Sequence, residues 1–207
     1  MVMISRRQLL NGALLASIVP GAGAQPAAGP DDAAVYVAFL NTIVQSSDKA
    51  EDAGRTVTLV VHPESLVVER GSHMPASVEE VLQIMQGLDR LAAADLVSKL
   101  AQSTAIALAL TMLDARLHVI QPQASDIDEI FANRGPFDSR WKKFDQRFKA
   151  AQSLVRLSAV GYNPQFDEAV FFVSITCGPL CGAGALIQAR KTAAGWHVTD
   201  QQGLWVS

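Results

Sequence analysis

The sequence predicts an α+β domain in which N-terminal helices pack on a C-terminal antiparallel β-meander. Two observations support this fold class. Apolar residues recur at helical spacing in several segments before residue 150, whereas short strand-like runs separated by tight turns fill the tail. Helices first and strands last are typical of an α+β arrangement. We therefore expect residues 33–207 to form a single α+β domain.

The first elements follow from local patterns. Apolar spacing predicts a helix over residues 33–44. A β-branched run over 56–61 predicts a strand, which stops at a His-Pro pair. Ser77 and Glu80 form the capping-box pattern, so a second helix should begin there. Gly87 weakens this helix by about 1 kcal/mol, and we expect the helix to continue through it.

Three further elements complete the first part of the chain. Residues 92–112 are rich in Ala and Leu and predict a helix with a break near Asp95 or Ser103. Residues 116–120 predict a strand. Asp138 is a candidate N-cap for a short helix with an aromatic stripe on one face, which we expect to be buried against the C-terminal sheet. The stripe consists of Trp141, Phe144 and Phe148.

The tail is predicted to be a meander of short strands joined by glycine- and proline-containing turns. The strand-like runs cover residues 154–160, 169–177, 185–191 and 196–199, with 204–206 as a further edge. Both faces of the run 169–176 are largely apolar. We therefore expect this strand to lie in the centre of the sheet, covered on both sides.

The chain begins with the three parts of a cleaved export signal. Arg6 and Arg7 are followed by an apolar stretch over 9–19 and by an Ala-x-Ala site formed by Ala22 and Ala24. The apolar stretch is far shorter than the ~20 residues needed to span a bilayer. We expect a signal peptide over 1–24, a flexible lead-in over 25–32, and a location in the periplasm or outside the cell.

The residues Ser5-Arg6-Arg7-Gln8-Leu9-Leu10-Asn11 resemble a twin-arginine (Tat) signal, in which Leu9 replaces the usual Phe and Asn11 the usual Lys. The resemblance covers the leader alone and implies export of an already folded protein. An ordinary Sec signal with two arginines is the alternative. No Cys lies near the cleavage site, which argues against a lipoprotein anchor.

Charge restricts the partners of the mature protein. Without Arg6 and Arg7, 15 of the 17 basic residues remain against 20 acidic residues, which gives a net charge of -5. Nucleic acids and anionic membranes require a basic surface. We therefore expect no nucleic-acid partner and, after cleavage, no membrane anchor; the partner is an unidentified protein or small molecule.

A second resemblance covers about a third of the chain, residues 141–207. Its motifs are Trp141-x-x-Phe144, the runs 157–163 and 177–184, Gly195-Trp196-His197-Val198 and a closing Trp205-Val206-Ser207. As a set they resemble a group of exported bacterial proteins of unknown function, which implies no particular activity. The Gly-Trp-x-Val ending is also similar to that of nuclear transport factor 2-like domains, in which a final strand closes a curved sheet over helices.

Cys177 and Cys181 are the only two cysteines in the chain. If the three residues between them form a hairpin loop, the cysteines face each other at the base of two antiparallel strands, within disulfide range. In an oxidising compartment this predicts a structural disulfide. A redox-active or copper-binding pair and a pair of free thiols are the alternatives.

Other candidate sites lack a complete motif. The histidines are not at metal-ligand spacing, although His62 and His118 are candidate bases, and the acidic cluster over 126–129 is expected to be a solvated loop. No Ser-hydrolase elbow or phosphate-binding glycine loop occurs in the sequence. We therefore expect no cofactor and no metal.

Three functions remain open from the sequence. The first is an exported, non-enzymatic binding or interaction domain. The second is an enzyme with a dispersed site that pairs His62 or His118 with a carboxylate. The third is a thiol-redox or copper-handling protein that uses Cys177 and Cys181.

Overall fold

The computed structural model describes residues 31–47, 55–68, 74–132 and 137–207. Its helices are α1 (Asp32–Ser47), α2 (Val78–Ile84), α3 (Arg90–Lys99), α4 (Ala124–Ala132) and α5 (Phe137–Arg147). Its strands are β1 (Val57–Val61), β2 (Leu117–Ile120), β3 (Ser153–Leu157), β4 (Gly161–Tyr162), β5 (Glu168–Gly178), β6 (Cys181–Thr192) and β7 (Gly195–Val206). The α+β content is as predicted, but the arrangement differs.

The seven strands form one mixed sheet in the order β2-β1-β3-β5-β6-β7, with β4 also paired to β5. β1 runs parallel to both β2 and β3, and the remaining pairs are antiparallel. The prediction of helices followed by a purely antiparallel meander is therefore wrong. Helix-containing connections separate the first three strands, and such crossovers return the chain to the same end of the sheet. The meander is confined to β5, β6 and β7.

Helices cover both faces of the sheet. On the face that we call the α1 face, Tyr36 and Phe39 of α1 pack edge-on against Phe171 of β5. On the opposite face, α2 and α3 cover Phe172 of β5 and its neighbours, while α4 and α5 cover Leu154 of β3 and its neighbours. As predicted, β5 is buried on both sides over residues 168–173, whereas residues 174–176 of the predicted run are half-buried.

The second helix is shorter than expected. The capping box is confirmed, since the Glu80 backbone N–H donates to Ser77 Oγ and the Glu80 carboxylate accepts from the Ser77 backbone N–H. However, α2 ends at Ile84, and Gly87 adopts a positive φ of 84° in the turn that follows. Left-handed backbone conformation favours glycine, so Gly87 ends the helical segment instead of being carried through it.

The predicted helix over 92–112 stops close to Ser103, one of the two expected break positions, and does not resume as an α-helix before β2. α3 ends at Lys99, and Ala105 then forms an isolated bridge with Glu64. Ile106 packs on the α1 face, so this segment passes from one side of the sheet to the other before it reaches β2. A continuous helix could not make that crossing, because a straight helix would stay on one face of the sheet.

The aromatic stripe is buried as predicted. Exposures of Trp141, Phe144 and Phe148 are 5%, 1% and 7%. They pack with Leu154 of β3 and with Val60 of β1, which lies outside the predicted C-terminal meander. α5 begins at Phe137, one residue before Asp138, so Asp138 lies within the helix and is not its N-cap.

Several residues of the run 157–163 have clear packing roles. The Phe172 backbone N–H donates to Ser158 Oγ at 2.8 Å, and the Tyr36 hydroxyl donates to the Ser158 carbonyl at 2.7 Å. The Tyr162 hydroxyl donates to Asp32 Oδ1 at 2.7 Å, which ties the first residue of α1 to the sheet. Asn163 Oδ1 accepts from two backbone N–H groups of the next turn. This run therefore holds α1 and the turn before β5 in place.

Candidate functional site

Five residues form a row across the sheet on the face opposite α1. Arg156 pairs with Ser174, Ser174 with Gly184, and Gly184 with Trp205, so these residues are cross-strand neighbours. The parallel register of β1 and β3 ends at the Val61–Val155 pair, and the His62 backbone N–H donates to the Val155 carbonyl at 2.9 Å, so His62 lies beside Arg156. The row crosses five strands, and we call it the cross-strand row: His62, Arg156, Ser174, Gly184 and Trp205.

The row lies between two covered patches of the same face. Leu154, two residues before Arg156, is covered by α4 and α5. Phe172, two residues before Ser174, is covered by α2 and α3. Arg156 and Ser174 themselves are half-buried. The half-buried side chains of Arg156 and Ser174 thus lie between the two patches that the pairs of helices cover.

His62 occupies one end of the row and is only 5% exposed. Its Nδ1 lies 3.2 Å from the Glu64 backbone nitrogen and 3.0 Å from the Glu64 carbonyl oxygen, contacts that hold the ring. Its Nε2 is buried and makes no hydrogen bond; the nearest acidic atom, Asp128 Oδ1, is 3.7 Å away. That separation is too long for a hydrogen bond but short enough for an electrostatic interaction.

Arg156 and Asp128 set the electrostatics of the row. Burial lowers the pKa of the Arg156 guanidinium, and the negative charge of Asp128 partly offsets this effect. An arginine nevertheless stays protonated at neutral pH. Asp128 is on α4, and its side chain is 61% exposed, so water screens its charge.

The other end of the row is formed by an indole that lies over a glycine. A Cβ on Gly184 would come within 2.1 Å of Trp205 Nε1, and a Cβ on Gly182 within 3.2 Å of the same ring. Both glycines belong to the run 177–184. Their lack of a side chain lets the half-buried Trp205 lie flat on β6.

A shallow groove lies at the carboxyl ends of β1 and β2. Its volume is about 390 Å³, and its lining includes Pro63, Glu64, Ile106 and Gln121. Glu64 accepts a hydrogen bond from the Ser103 hydroxyl at 3.3 Å, and Gln121 donates to the Ile106 carbonyl at 2.8 Å. The Glu64 carboxylate, two residues after His62, is therefore engaged with the segment that follows α3.

The cysteine hairpin is tighter than predicted. Gly178 pairs with Cys181, so the turn contains two residues, Pro179 and Leu180, and not three. Even so, Cys177 and Cys181 lie at disulfide-bonding distance, with their Cα atoms 5.1 Å apart. Cys181 begins a strand, so it does not precede a helix N-terminus of the kind that activates redox cysteines.

The remaining histidines do not join His62. His118 is exposed on the edge strand β2, and His197 is exposed on β7 opposite Arg190. His73 lies outside the described residues. The structure therefore joins His62 with a carboxylate but does not bring His118 to that site.

The acidic cluster is helical, which corrects the prediction of a loop. Asp126, Asp128 and Glu129 are on α4, where Asp126 accepts from Arg147 of α5 at 2.6 Å. In the described ranges, no group of three or more His, Cys, Asp or Glu side chains is arranged to hold a metal ion.

The sequence interpretation missed Arg156 and Ser174. Each is the polar exception in a short apolar run, Leu154-Val155-Arg156-Leu157 for Arg156 and Phe172-Val173-Ser174-Ile175 for Ser174. A polar residue on a largely buried strand indicates a special environment, and this signal could have found both residues.

Arg6, Arg7, Ala22 and Ala24 of the predicted signal lie outside the described residues, as do residues 25–30 of the predicted lead-in. Asp31 and Asp32, the end of that lead-in, belong to the start of α1, where Asp31 accepts from Lys191 at 2.5 Å. Among the helices that the structure describes, none has the length and apolar character required for a bilayer crossing.

Comparisons with known proteins return no relative. No family model, no curated protein and no solved structure matches this chain.

Proposed function

We propose that the chain is an exported, non-enzymatic domain that binds a protein partner with the tip of the β5–β6 hairpin. One observation carries the proposal: a cysteine pair braces a turn on which Leu180 is 87% exposed. An apolar side chain so far from the core does not stabilise the fold. A single exposed apolar residue is ordinary on a protein surface, but one on a cross-linked turn is presented to a partner in a restricted conformation.

Export is supported by two independent features. The leader has the twin-arginine pattern at Arg6 and Arg7. The two cysteines lie at bonding distance, and such pairs persist as disulfides in the oxidising compartments outside the cytoplasm. The pair is also the chain's entire complement of cysteines, so no other pairing within the chain competes.

The shape of the tip favours a protein over a small molecule. Small-molecule sites are concave, whereas this turn projects from the end of the central strands. Val206, which pairs with Ala183 near the same end of the sheet, is 86% exposed and extends the apolar surface. The proline and the cross-link restrict the turn, so little conformational entropy is lost when it is bound.

Export is tested by cell fractionation of the full-length chain. The wild type should be recovered from the periplasm with its N-terminus at Gln25. Arg6→Lys combined with Arg7→Lys should block export by the twin-arginine route, while Lys142→Arg serves as a control for a conservative change elsewhere. Undiminished export of the double variant would leave the Sec route, and retention of the wild type in the cytoplasm would contradict export altogether.

Partner binding is tested by photo-crosslinking in intact cells. A photoreactive amino acid at position 180 should give a discrete adduct with the exported protein, and Cys177→Ala with Cys181→Ala should lower its yield. The control position is Phe166, which is 53% exposed on a different turn. Adducts of equal yield at both positions, or none at 180, would contradict the proposed role of the tip.

A second candidate function is favoured by the His62–Asp128 pair. In the tautomer whose Nδ1–H donates to the Glu64 carbonyl at 3.0 Å, Nε2 is unprotonated and can act as a general base, and Asp128 Oδ1, 3.7 Å away, would stabilise the imidazolium that forms. A panel of chromogenic esters, phosphates and glycosides tests it: turnover should be lost in His62→Gln and retained in His118→Gln. Equal activity in both variants, or no turnover by the wild type, would contradict an enzyme of this kind.

A further inference from the structure

We propose that the cross-strand row is a binding site for a small molecule bearing an oxyanion, a carboxylate or a phosphate, with Arg156 as its anchor. The site is separate from the hairpin tip and does not depend on the function proposed for that tip.

Arg156 has the properties of an unfilled anion anchor. It is half-buried on a central strand of the sheet, and it makes no hydrogen bond or ion pair with any of the described residues. Exposed arginines elsewhere in the chain do find carboxylate partners, for example Arg90 with Glu79 and Arg147 with Asp126. A half-buried guanidinium without a partner is costly, and an incoming anion would remove that cost.

The guanidinium selects the class of ligand. Its planar fork of N–H donors matches the two oxygens of a carboxylate or phosphate, and the resulting charge-assisted bonds are stronger than those between neutral groups. Chloride offers no such pair of acceptors. The geometry therefore favours an oxyanion over a simple halide.

Two neighbours of Arg156 add donors. Ser174, directly opposite on β5, has a hydroxyl without a hydrogen bond among the described residues. On the other side, His62 Nε2 is buried without a hydrogen bond, which is unfavourable for a buried polar atom. In the tautomer whose Nδ1 accepts from the Glu64 N–H, Nε2 carries a proton that it can donate.

Asp128 opposes the anion and provides a sharp control. Its carboxylate faces the row from α4, and it contributes the attraction felt by Arg156. If Arg156 serves only to balance the negative charge of Asp128, the Asp128→Asn variant should bind no anion. If the row binds an anion, removing this negative charge should strengthen binding, because like charges repel.

The experiment is an NMR titration of the mature protein with sodium phosphate, sodium acetate and sodium chloride at matched low ionic strength. The Arg156 Nε–Hε resonance and the His62 ring resonances report binding. We expect saturable shifts with phosphate or acetate and none with chloride; the comparison of the two oxyanions identifies the preferred headgroup.

Variants separate the anchor from general charge effects. Arg156→Gln should weaken binding about ten-fold or more, since a hydrogen bond to a charged group contributes ~1.5–3 kcal/mol. Arg90→Gln, which removes an equal charge far from the row, should leave binding unchanged, and Asp128→Asn should tighten it. Arg156→Lys keeps the positive charge but loses the planar fork of guanidinium N–H donors, so it should bind with intermediate affinity. This variant tests the proposal even if Arg156→Gln does not fold.

Three results would overturn the proposal: shifts in the wild type that are absent or linear in concentration, equal shifts with chloride, or equal weakening in Arg156→Gln and Arg90→Gln. Unaltered or weaker binding by Asp128→Asn would likewise show that the row is not an oxyanion site.

Discussion

Gly161 and Leu96 meet where β4 crosses under α3, and a Cβ on Gly161 would lie 2.4 Å from the Leu96 backbone nitrogen. The backbone carbonyl oxygen of Ala92 would be almost as close, at 2.5 Å. The close approach lets Lys99 of the same helix reach over to donate to the Val160 carbonyl at 2.8 Å. The absence of a side chain on Gly161 therefore sets the distance between α3 and the sheet.

Gly161→Ala should destabilise the fold by about 3 kcal/mol, because the obstacle is helix backbone that cannot rotate away. Urea denaturation measures the change in the free energy of unfolding. Gly203→Ala is the matched control: its Cβ would meet nothing within 4 Å, so a change of less than ~0.5 kcal/mol is expected. Equal stability of the two variants would contradict the close contact.

Gly184→Ala should act differently, because its obstacle is a side chain. The new Cβ would come within 2.1 Å of Trp205 Nε1, and the half-buried indole can move away toward solvent. We expect a stability loss of only about 1 kcal/mol, together with altered near-UV circular dichroism and Trp fluorescence. An unaltered near-UV spectrum would mean that the indole does not lie on Gly184 in solution.

Phe144→Ala should destabilise the fold by about 3–5 kcal/mol, as large truncations in a packed core do. Phe144 is 1% exposed and contacts the rings of Trp141, Phe148 and Phe131. Lys142→Ala changes an exposed residue of the same helix and should have little effect on the melting temperature. Similar melting temperatures for both variants would argue that the stripe is not part of the core.

The chain's two tyrosines predict a loss of stability at alkaline pH. Burial, reinforced by the charge of Asp32, raises the pKa of both Tyr36 and Tyr162 well above the ordinary value. The unfolded chain ionises near pH 10, whereas the folded chain keeps its phenol protons. The contribution of these tyrosines to the free energy of unfolding is therefore complete below about pH 10 and declines as the pH rises further.

Tyr162→Phe should make this alkaline decline shallower, at the expense of about 1–2 kcal/mol at neutral pH for the lost hydrogen bond to Asp32. Urea denaturation between neutral pH and pH 11 compares the variants, and Tyr36→Phe with Tyr162→Phe should be shallower still. If stability declined as steeply in the double variant as in the wild type, the alkaline loss of stability would belong to groups other than the tyrosines.

If the chain is exported as proposed, the cysteine pair should be oxidised once the protein has left the cytoplasm. Intact mass spectrometry without reductant should then find the mature chain two hydrogens lighter than the dithiol. Cys177→Ala with Cys181→Ala should lower stability by about 2 kcal/mol and leave the far-UV spectrum unchanged, since the cross-linked loop is short. Free thiols in air-oxidised exported protein would favour the redox or copper alternative.

Features that depend on neighbouring residues were predictable from the sequence. The Ser77–Glu80 capping box, the stripe at Trp141, Phe144 and Phe148, and the two-sided burial of β5 all follow from spacing within one element. The cysteine pair was equally accessible, because only three residues separate its members and a hairpin between them brings them together. In each case the pattern and the structure it predicts involve the same short segment.

Only the tertiary structure decided which elements meet. β1 could be predicted as a strand, but its parallel pairing with β2 and β3 depends on the crossovers that connect them and on how the helices cover both faces. That pairing places His62 beside Arg156, although the two residues are far apart in the chain. The sequence by itself determined the periodicity and chemistry of each segment. The cross-strand row and the Gly161–Leu96 contact were decided by the tertiary packing, because strand partners are selected by the burial of the whole sheet and not by local residue preference.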